Sequence, residues 1–439
     1  MEMSQAKTKH NMLVLGSGGR EDALAWKLRQ SPLADHLYLA PGNGTERNGI
    51  EKLDIKLSDF NAICSAVQEK HIDVVVIGPE QPLVDGLVDF LKQKKELEGL
   101  HIIGPSAKGA MLEGSKDFAK EFMQKYGIPT AKYLTVTSEN IAQGEAFLAS
   151  LSAPYVLKAD GLAAGKGVLI LSSLEEALKE LREMLTGKFG NAGNKVVIEQ
   201  YLSGIECSCF VLTDGKGYML LPYAKDYKRI GDGDKGLNTG GMGAVSPVPF
   251  LSSELKKRIE EQVVCPTIEG LNREGLDYKG FVFIGLMICE GKDPYVIEYN
   301  CRMGDPETEV VMPRIGEDLL PHLIKLKDQT LSSGSLEEIA EYATTVVMTS
   351  GGYPEEYKTG YEIAGIESAE NGDGVVVFHA GTKGADGKLL SSGGRVLACT
   401  GIAPTLQKAL DKSYRATSLI SFTDKYNRSD IGKDLIPWT

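Results

Sequence analysis

Glu298-Tyr299-Asn300-Cys301-Arg302-Met303-Gly304-Asp305-Pro306-Glu307 is the stretch whose reading decides the fold. It follows the apolar run Tyr295-Val296-Ile297, which reads as a strand. Side chains alternate faces along a strand, so Val296, Glu298 and Asn300 are expected on one side, with Ile297 and Tyr299 on the other. A carboxylate and an amide oxygen two residues apart on one face are hard ligands. They suit Mg²⁺, which takes one or two protein oxygens and completes its shell with phosphates and water. Arg302 adds a planar fork that matches phosphate or carboxylate. Asp305-Pro306-Glu307 reads as a helix N-cap, a proline at the first helical position and an acid in the first turn. An isolated Glu-x-Asn is most often a salt-bridged strand end, so independent phosphate-type signals are needed.

Lys158-Ala159-Asp160-Gly161-Leu162-Ala163-Ala164-Gly165-Lys166-Gly167 supplies one, lying between the strand-like Tyr155–Lys158 and Val168–Leu171. A P-loop runs strand, loop, helix and ends in Gly-Lys-Ser/Thr; here the order is strand, loop, strand, and Gly167 follows Lys166. The loop is therefore a hairpin tip whose glycines bare backbone N–H groups around Lys166, with Lys158 beneath. Lys195–Leu202 reads as a further strand leading to Glu206. Glu199, the Tyr201–Leu202 backbone and Glu206 could hold an adenine and its ribose. Gly114-Ser115-Lys116-Asp117 opens a helix and offers one more lysine.

In the order Lys116, Lys158 with its glycine-rich loop, Glu199-Gln-Tyr-Leu with Glu206, then Glu298-x-Asn300, the chain resembles the ATP-grasp ligases. Within them it resembles the glycinamide ribonucleotide synthetase family. Four stretches carry that likeness: Gly16-Ser-Gly-Gly-Arg-Glu21, Lys158–Gly167, Asn238-Thr-Gly-Gly-Met-Gly-Ala244 and Glu298–Glu307. The resemblance implies ATP as co-substrate, with Mg²⁺ (or Mn²⁺) on Glu298 and Asn300. Lys116, Lys158, Gly165, Lys166, Gly167, Glu199, Tyr201, Leu202 and Glu206 are then the ATP set, and Arg302, Lys158 and Lys166 the catalytic groups. Asp22 and Tyr227 stand where that family usually shows histidine.

Bulk properties set the bounds. A chain of 439 residues, 42% hydrophobic and 25% charged, belongs to the globular class with more than one folding unit. A net charge of −12 argues against nonspecific nucleic-acid binding, so phosphate sites must be locally basic. No apolar run approaches the roughly 20 residues of a bilayer span. Residues 1–10 are polar, without the apolar core of a secretory signal, and read as a disordered extension. Seven cysteines without a Cys-x-x-Cys pair fit free thiols in a reducing cytoplasm. Six scattered histidines form no triad or HExxH. Asp232-Gly-Asp234 begins like a calcium loop, but Gly243 stands where the bidentate glutamate belongs.

Residues 11–105 alternate strands (Met12–Leu15, Leu37–Leu39, Val74–Ile77, His101–Ile103) with helices at about 20–30, 59–70 and 83–98. This predicts an α/β, Rossmann-like parallel sheet. Three strands run into ligand-type turns: Gly16–Arg20, Pro41–Thr45 and Gly78–Pro82. Such turns converge in the crevice beyond the strand ends. A dinucleotide fingerprint fails because Glu21 holds the place of the third glycine. The amides of Gly18, Gly19 and Arg20 could instead hold one phosphate; the resemblance makes it that of 5-phosphoribosylamine, with Asn43, Gly44, Thr45, Pro79 and Glu80 around it. Residues 106–330 read as the ATP-grasp unit, with a mobile lid at about 128–190. The polar stretch Asp226–Gly243 reads as a long loop, and the resemblance makes Asp226, Arg229, Thr239, Gly240 and Gly241 the glycine site. Residues 331–439 read as a small β-rich unit with strands at Glu341–Thr349, Gly374–Gly381 and Gly394–Thr400, a hairpin at Gly384–Gly387 and a helix at about 403–420. The expected protein is a cytoplasmic monomer joining glycine to 5-phosphoribosylamine through glycyl phosphate, without nucleic-acid or membrane partners. The alternative is another ATP-grasp carboxylate–amine ligase or carboxylase.

Overall fold

The computed structural model describes residues 9–162, 167–188 and 193–439. Its first sheet is wholly parallel. The strands are β1 (His10–Gly16), β2 (Ala34–Pro41), β3 (Ile50–Lys52), β4 (Val74–Ile77) and β5 (His101–Ile103), in the order β3-β2-β1-β4-β5. Val74-Val75-Val76-Ile77 is buried throughout, as a strand covered on both faces requires. β3 is too short and too charged to stand out in the sequence; it lies at the sheet edge, where polar residues are tolerated. The chain reverses direction about β1, so a crevice opens beyond its carboxyl end. There Gly42 N–H donates to Gly16 O (3.2 Å) and Gly78 N–H to Leu15 O (2.9 Å), drawing the three turns together. The helix expected over 83–98 is broken at Gly86 (φ +87°) into Glu80–Val84, Leu87–Lys92 and a short turn at Lys95–Leu97.

A small antiparallel sheet follows, built from β6 (Tyr133–Val136), β7 (Tyr155–Ala159), β8 (Val168–Leu171) and β9 (Val196–Gln200) in the order β6-β9-β7-β8. Helices Ile141–Ser150 and Leu174–Glu183 give it a core of its own around Leu148, Leu157, Leu181 and Ile198. β7 and β8 form the hairpin expected around the glycine-rich loop. Gly165 and Lys166 lie outside the described residues.

The central sheet joins β10 (Gly204–Thr213), β11 (Tyr218–Leu220), β16 (Gly280–Cys289), β17 (Asp293–Asn300) and β18 (Gly334–Ser335). Between β11 and β16 come β12 (Lys225–Asp226), β13 (Arg229–Gly231), β14 (Lys235–Asn238) and β15 (Gly243–Ser246). The stretch Asp226–Gly243 is thus not a loop: β13 and β14 pair as a hairpin, and β12 pairs with β15. The last sheet contains β19 (Tyr342–Thr349), β20 (Val375–His379) and β23 (Arg395–Ala403), beside the hairpin of β21 (Thr382–Ala385) and β22 (Lys388–Ser391). Asp386 (φ +51°) and Gly387 (φ +72°) supply the two positive φ angles of its tight turn. The order β12-β15-β19-β23-β20 carries two central-unit strands into the C-terminal sheet, against which helix Leu406–Leu419 packs. Among the described residues no helix is long and apolar enough to cross a membrane. Cys265 is exposed, unlike the buried Cys64, Cys207, Cys209, Cys301 and Cys399; all seven thiols are free.

Candidate active site

β17 does not alternate as a plain strand would. Glu298 pairs with Gly285 and Val296 with Leu286, leaving Ile297 as a bulge. The extra residue flips the parity. Val296 and Tyr299 therefore enter one core together, while Glu298 and Asn300 share the other face. Val296 is thus not on the Glu298 side, as strict alternation required. The bulge also turns the Ile297 carbonyl toward Lys158, whose Nζ donates to it at 3.2 Å.

Three lysines converge on Glu298. Burial would raise its carboxyl pKa, but Lys228, Lys158 and Lys116 outweigh it and hold the group below its usual value. Lys116 sits at the start of helix Lys116–Lys125, whose N-cap Ser115 accepts from Phe118 N–H (3.1 Å); its Nζ donates to Gly161 O (3.0 Å) on the glycine-rich hairpin. Lys158 pairs with Glu199 Oε1 (2.9 Å), which is buried. Tyr201 (half exposed) and Leu202 form the connection from β9 to β10, and Gly167 O accepts from Ala159 N–H (2.8 Å) at the hairpin base. Among the described residues no hydrogen-bond or ion-pair partner holds the Glu298 carboxylate, and Asn300 Nδ2 is buried without a partner. No group of three or more His, Cys, Asp or Glu among them could hold a metal. The pair fits a divalent cation that brings phosphate and water oxygens with it.

Beside this face lies a cluster of acids. Glu206 pairs with Lys228 at 2.8 Å, which holds its carboxyl low. Asp226 is raised by burial and by the neighbouring Glu206 and Glu298, against the pull of Lys228. Glu307 is pushed up to about 8 by burial and by Asp226, and accepts from Ser208 Oγ (3.1 Å). Thr239 Oγ1 donates to Lys228 O (2.8 Å) and accepts from Gly241 N–H (2.9 Å), which shapes the turn through Gly240. Arg229, expected here, instead donates to Gly236 O across its own hairpin (2.9 Å); the residue that reaches the cluster is Lys228.

At the crevice of the parallel sheet the expected groups gather, but with carboxylates among them. Gly18 N–H donates to Glu21 Oε2 (2.7 Å) and Arg20 N–H to Asp305 Oδ2 (3.4 Å). Gly19 lies against Glu309, with no room for a Cβ. The Arg20 and Arg302 guanidinium groups both donate to Met303 O, at 3.2 and 3.3 Å. Arg302 also pairs with Glu113 (2.5 Å) and Glu80 (3.2 Å), the latter in the helix capped by Pro79. Asn43 Nδ2 donates to His379 O (2.7 Å) and Gly44 N–H to Thr382 Oγ1 (3.0 Å), so this turn is tied to the C-terminal unit; Thr45 Oγ1 is buried without a partner.

The helix after the motif starts at Thr308 with Glu307 as N-cap, not at Pro306 with Asp305 as cap. The Asp305 carboxylate is taken elsewhere: Arg395 pairs with it at 3.1 Å and also donates to Asp305 O (2.7 Å) and Gly240 O (2.6 Å). Arg395 and Arg20 together hold Asp305 below the usual range despite burial. Both departures from the histidine pattern have partners. Asp22 accepts from His379 N–H (2.9 Å), and Tyr227 donates to Asp434 (2.5 Å) beneath the Lys225 ammonium.

Models of phosphoribosylglycinamide synthetase match the chain in three pieces: the N domain over residues 10–113, the ATP-grasp (A) domain over 114–308 and the C domain over 343–434. A phosphoribosylamine–glycine ligase of Chlorobaculum tepidum is 44% identical, the match covering 96% of this chain and 99% of that one. The chain belongs to the phosphoribosylglycinamide synthetase family. It is accordingly an ATP-dependent ligase of purine biosynthesis. A bifunctional purine biosynthetic protein of Pichia angusta is 45% identical over 96% of the chain, which spans about half (53%) of that longer protein. The crystal structure of a phosphoribosylamine–glycine ligase from Thermotoga maritima superposes with a TM-score of 0.81 at 34% identity, covering 96% and 99% of the two chains. The parallel N-terminal sheet, ATP-grasp centre and C-terminal antiparallel strands are those of this synthetase family.

Sequence reasoning passed over Glu21, Glu113, Lys120, Asp305 and Glu307 as site-building groups. Lys120 carried a usable signal, since it sits between Ala119 and Phe122 on the apolar side of its helix. The partners of Arg395 lie 90 and 155 residues away, which spacing does not show.

Proposed function

We propose that the chain joins glycine to 5-phosphoribosylamine at the expense of ATP, through glycyl phosphate, to give glycinamide ribonucleotide, ADP and phosphate. The observation that carries this is the convergence of Lys116, Lys158 and Lys228 on the unpartnered Glu298 beside a cluster of acids. A carboxylate becomes reactive toward an amine only when one oxygen is made a leaving group. Transfer of the γ-phosphoryl group to glycine does this, and it needs positioning and charge neutralisation rather than a covalent enzyme intermediate. Lys116 and Lys158 approach the phosphates from the floor, and Lys166 is proposed as a third phosphate lysine. Tyr201, Leu202 and Glu206 hold the nucleoside, with Glu199 behind them paired to Lys158. Glu298 and Asn300 would hold Mg²⁺ (or Mn²⁺), which would supply positive charge to neutralise the phosphates.

Asp226 suits the glycine ammonium, with Glu307, protonated up to about pH 8, and the Thr239–Gly241 turn beside it. The crevice of the parallel sheet takes phosphoribosylamine, with Arg20 and the amides near Gly19 toward its phosphate. Carboxylates now fill part of this crevice, and they are the acceptors a ribose and an amine require. Arg302, fixed between Glu80 and Glu113, faces the junction where the acyl phosphate meets the amine. Amine attack then forms the amide C–N bond and expels phosphate. Closure of the β7–β8 hairpin would keep water from the acyl phosphate. The test is ADP release with ATP and Mg²⁺, adding glycine and freshly made phosphoribosylamine singly and together. ADP formed only with both supports the reading, and silence with both in a sample that binds ATP removes the proposed acceptor.

A further inference from the structure

One buried lysine has no part in the scheme above. Lys120 lies on helix Lys116–Lys125 and is 2% exposed. Its Nζ donates to Thr130 Oγ1 (2.7 Å) and pairs with Glu199 Oε2 (3.1 Å), while Lys158 takes the other oxygen at 2.9 Å. Thr130 in turn donates to Val296 O (2.7 Å) on the strand that carries Glu298. Two ammonium groups therefore share one carboxylate, and the cluster carries a net charge of +1. A buried lysine is uncommon unless it is paired, and a second one on the same acid is more than pairing requires.

We propose that Lys120 is a positioning residue for nucleotide binding: it neutralises Glu199, so that Lys158 keeps its positive charge for the phosphates. Without Lys120, Glu199 and Lys158 would form a neutral pair and the floor of the site would lose one unit of charge. The same contacts tie β9 to the Thr130 segment entering the small sheet, so Lys120 also sets where Glu199 stands. The groups facing its ammonium are Glu199 from β9, Lys158 from β7 and the Tyr133 ring from β6 at 5.6 Å. Burial, with Lys158 assisting and Glu199 opposing, lowers its pKa to about 8, so it is still mainly charged at neutral pH.

The inference rests on the nucleotide reading of this site, and the experiment separates the two. ADP affinity is measured by calorimetry, without metal and at pH 7, for the native protein, Lys120→Arg, Lys120→Met and the double variant Lys120→Met/Glu199→Gln. The expected result is native-like binding by Lys120→Arg and a roughly tenfold to hundredfold weaker Kd for Lys120→Met. That is the scale of one unit charge near a polyanion in a protein interior. The double variant restores the net charge and should recover most of the affinity, which a purely structural role would not produce. If Lys120→Met fails to fold, the Lys120→Arg and double variants decide by the same criterion. Native protein that does not bind ADP overturns the nucleotide reading and this inference with it. Native binding together with unchanged Kd in Lys120→Met, or no recovery in the double variant, overturns the inference alone.

Discussion

Arg395 ties the C-terminal unit to the Asp305 turn, and removing it should be costly. Arg395→Met keeps most of the stem but deletes the pairing with Asp305 Oδ1 (3.1 Å) and the bonds to Asp305 O and Gly240 O. The Asp305 side chain, 15% exposed, then keeps only the long Arg20 amide contact and the neighbouring Glu309. Breaking a buried pair by removing one partner costs about 3–5 kcal/mol, and because Arg395 is 21% exposed the lower end, about 3 kcal/mol, applies. A loss of about 3 kcal/mol is roughly 150-fold in an equilibrium or rate ratio. The assay is kcat/KM for each substrate in turn, alongside urea unfolding. Phosphoribosylamine should lose about two orders of magnitude and ATP far less, since the turn borders the crevice rather than the phosphate floor. Phosphoribosylamine kcat/KM within threefold of native, at an unchanged unfolding midpoint, would refute the clamp.

Other perturbations follow from the same geometry. Glu298→Ala should abolish turnover while leaving circular dichroism and metal-free ADP binding intact; near-normal activity would sink the metal assignment. Arg20→Ala should raise KM for phosphoribosylamine more than for ATP, and equal effects would count against the crevice placement. Gly241→Ala meets Pro306 Cδ at 2.3 Å from a backbone at φ +116°, so it should cost about 2–4 kcal/mol of stability; an unchanged melting temperature would contradict it. Glu307 stays protonated in the fold up to about pH 8, whereas an unfolded glutamate ionises near 4.5. The unfolded chain therefore binds fewer protons between those values, and this group's contribution to stability falls as pH rises through that window. Glu307→Gln should flatten the decline measured by urea unfolding between pH 5 and 8, and an unaltered slope would argue against a neutral Glu307.

What the sequence disclosed and what it hid divide along a physical line. Local rules located four of the five parallel strands, the glycine-rich hairpin and the Asp386-Gly387 turn, because each depends on neighbours within a few residues. Alternation put Glu298 and Asn300 on one face, where they are, but the bulge at Ile297 shows that it placed Val296 wrongly. Asp305 was misread as a cap because capping is a local rule, and the carboxylate is claimed by Arg395 from a distant strand. Arg229 and Lys228 are adjacent in sequence, and only pairing across the β13–β14 hairpin decides which of them faces Glu206. Long-range partners of this kind leave no trace in spacing.

β12 and β15 flank the β13–β14 hairpin and belong to a sheet completed by β19, β23 and β20. During synthesis, residues 225–246 leave the ribosome long before residues 342–403, so β15 waits with one edge unpaired until almost the whole chain has emerged. Pairings of such sequence separation form slowly and leave an aggregation-prone edge in the interval. The Asp226 segment is therefore among the last of these parts to take shape, and a nascent chain halted near residue 330 would carry Lys116 and Lys158 while β15 still lacked its partner β19.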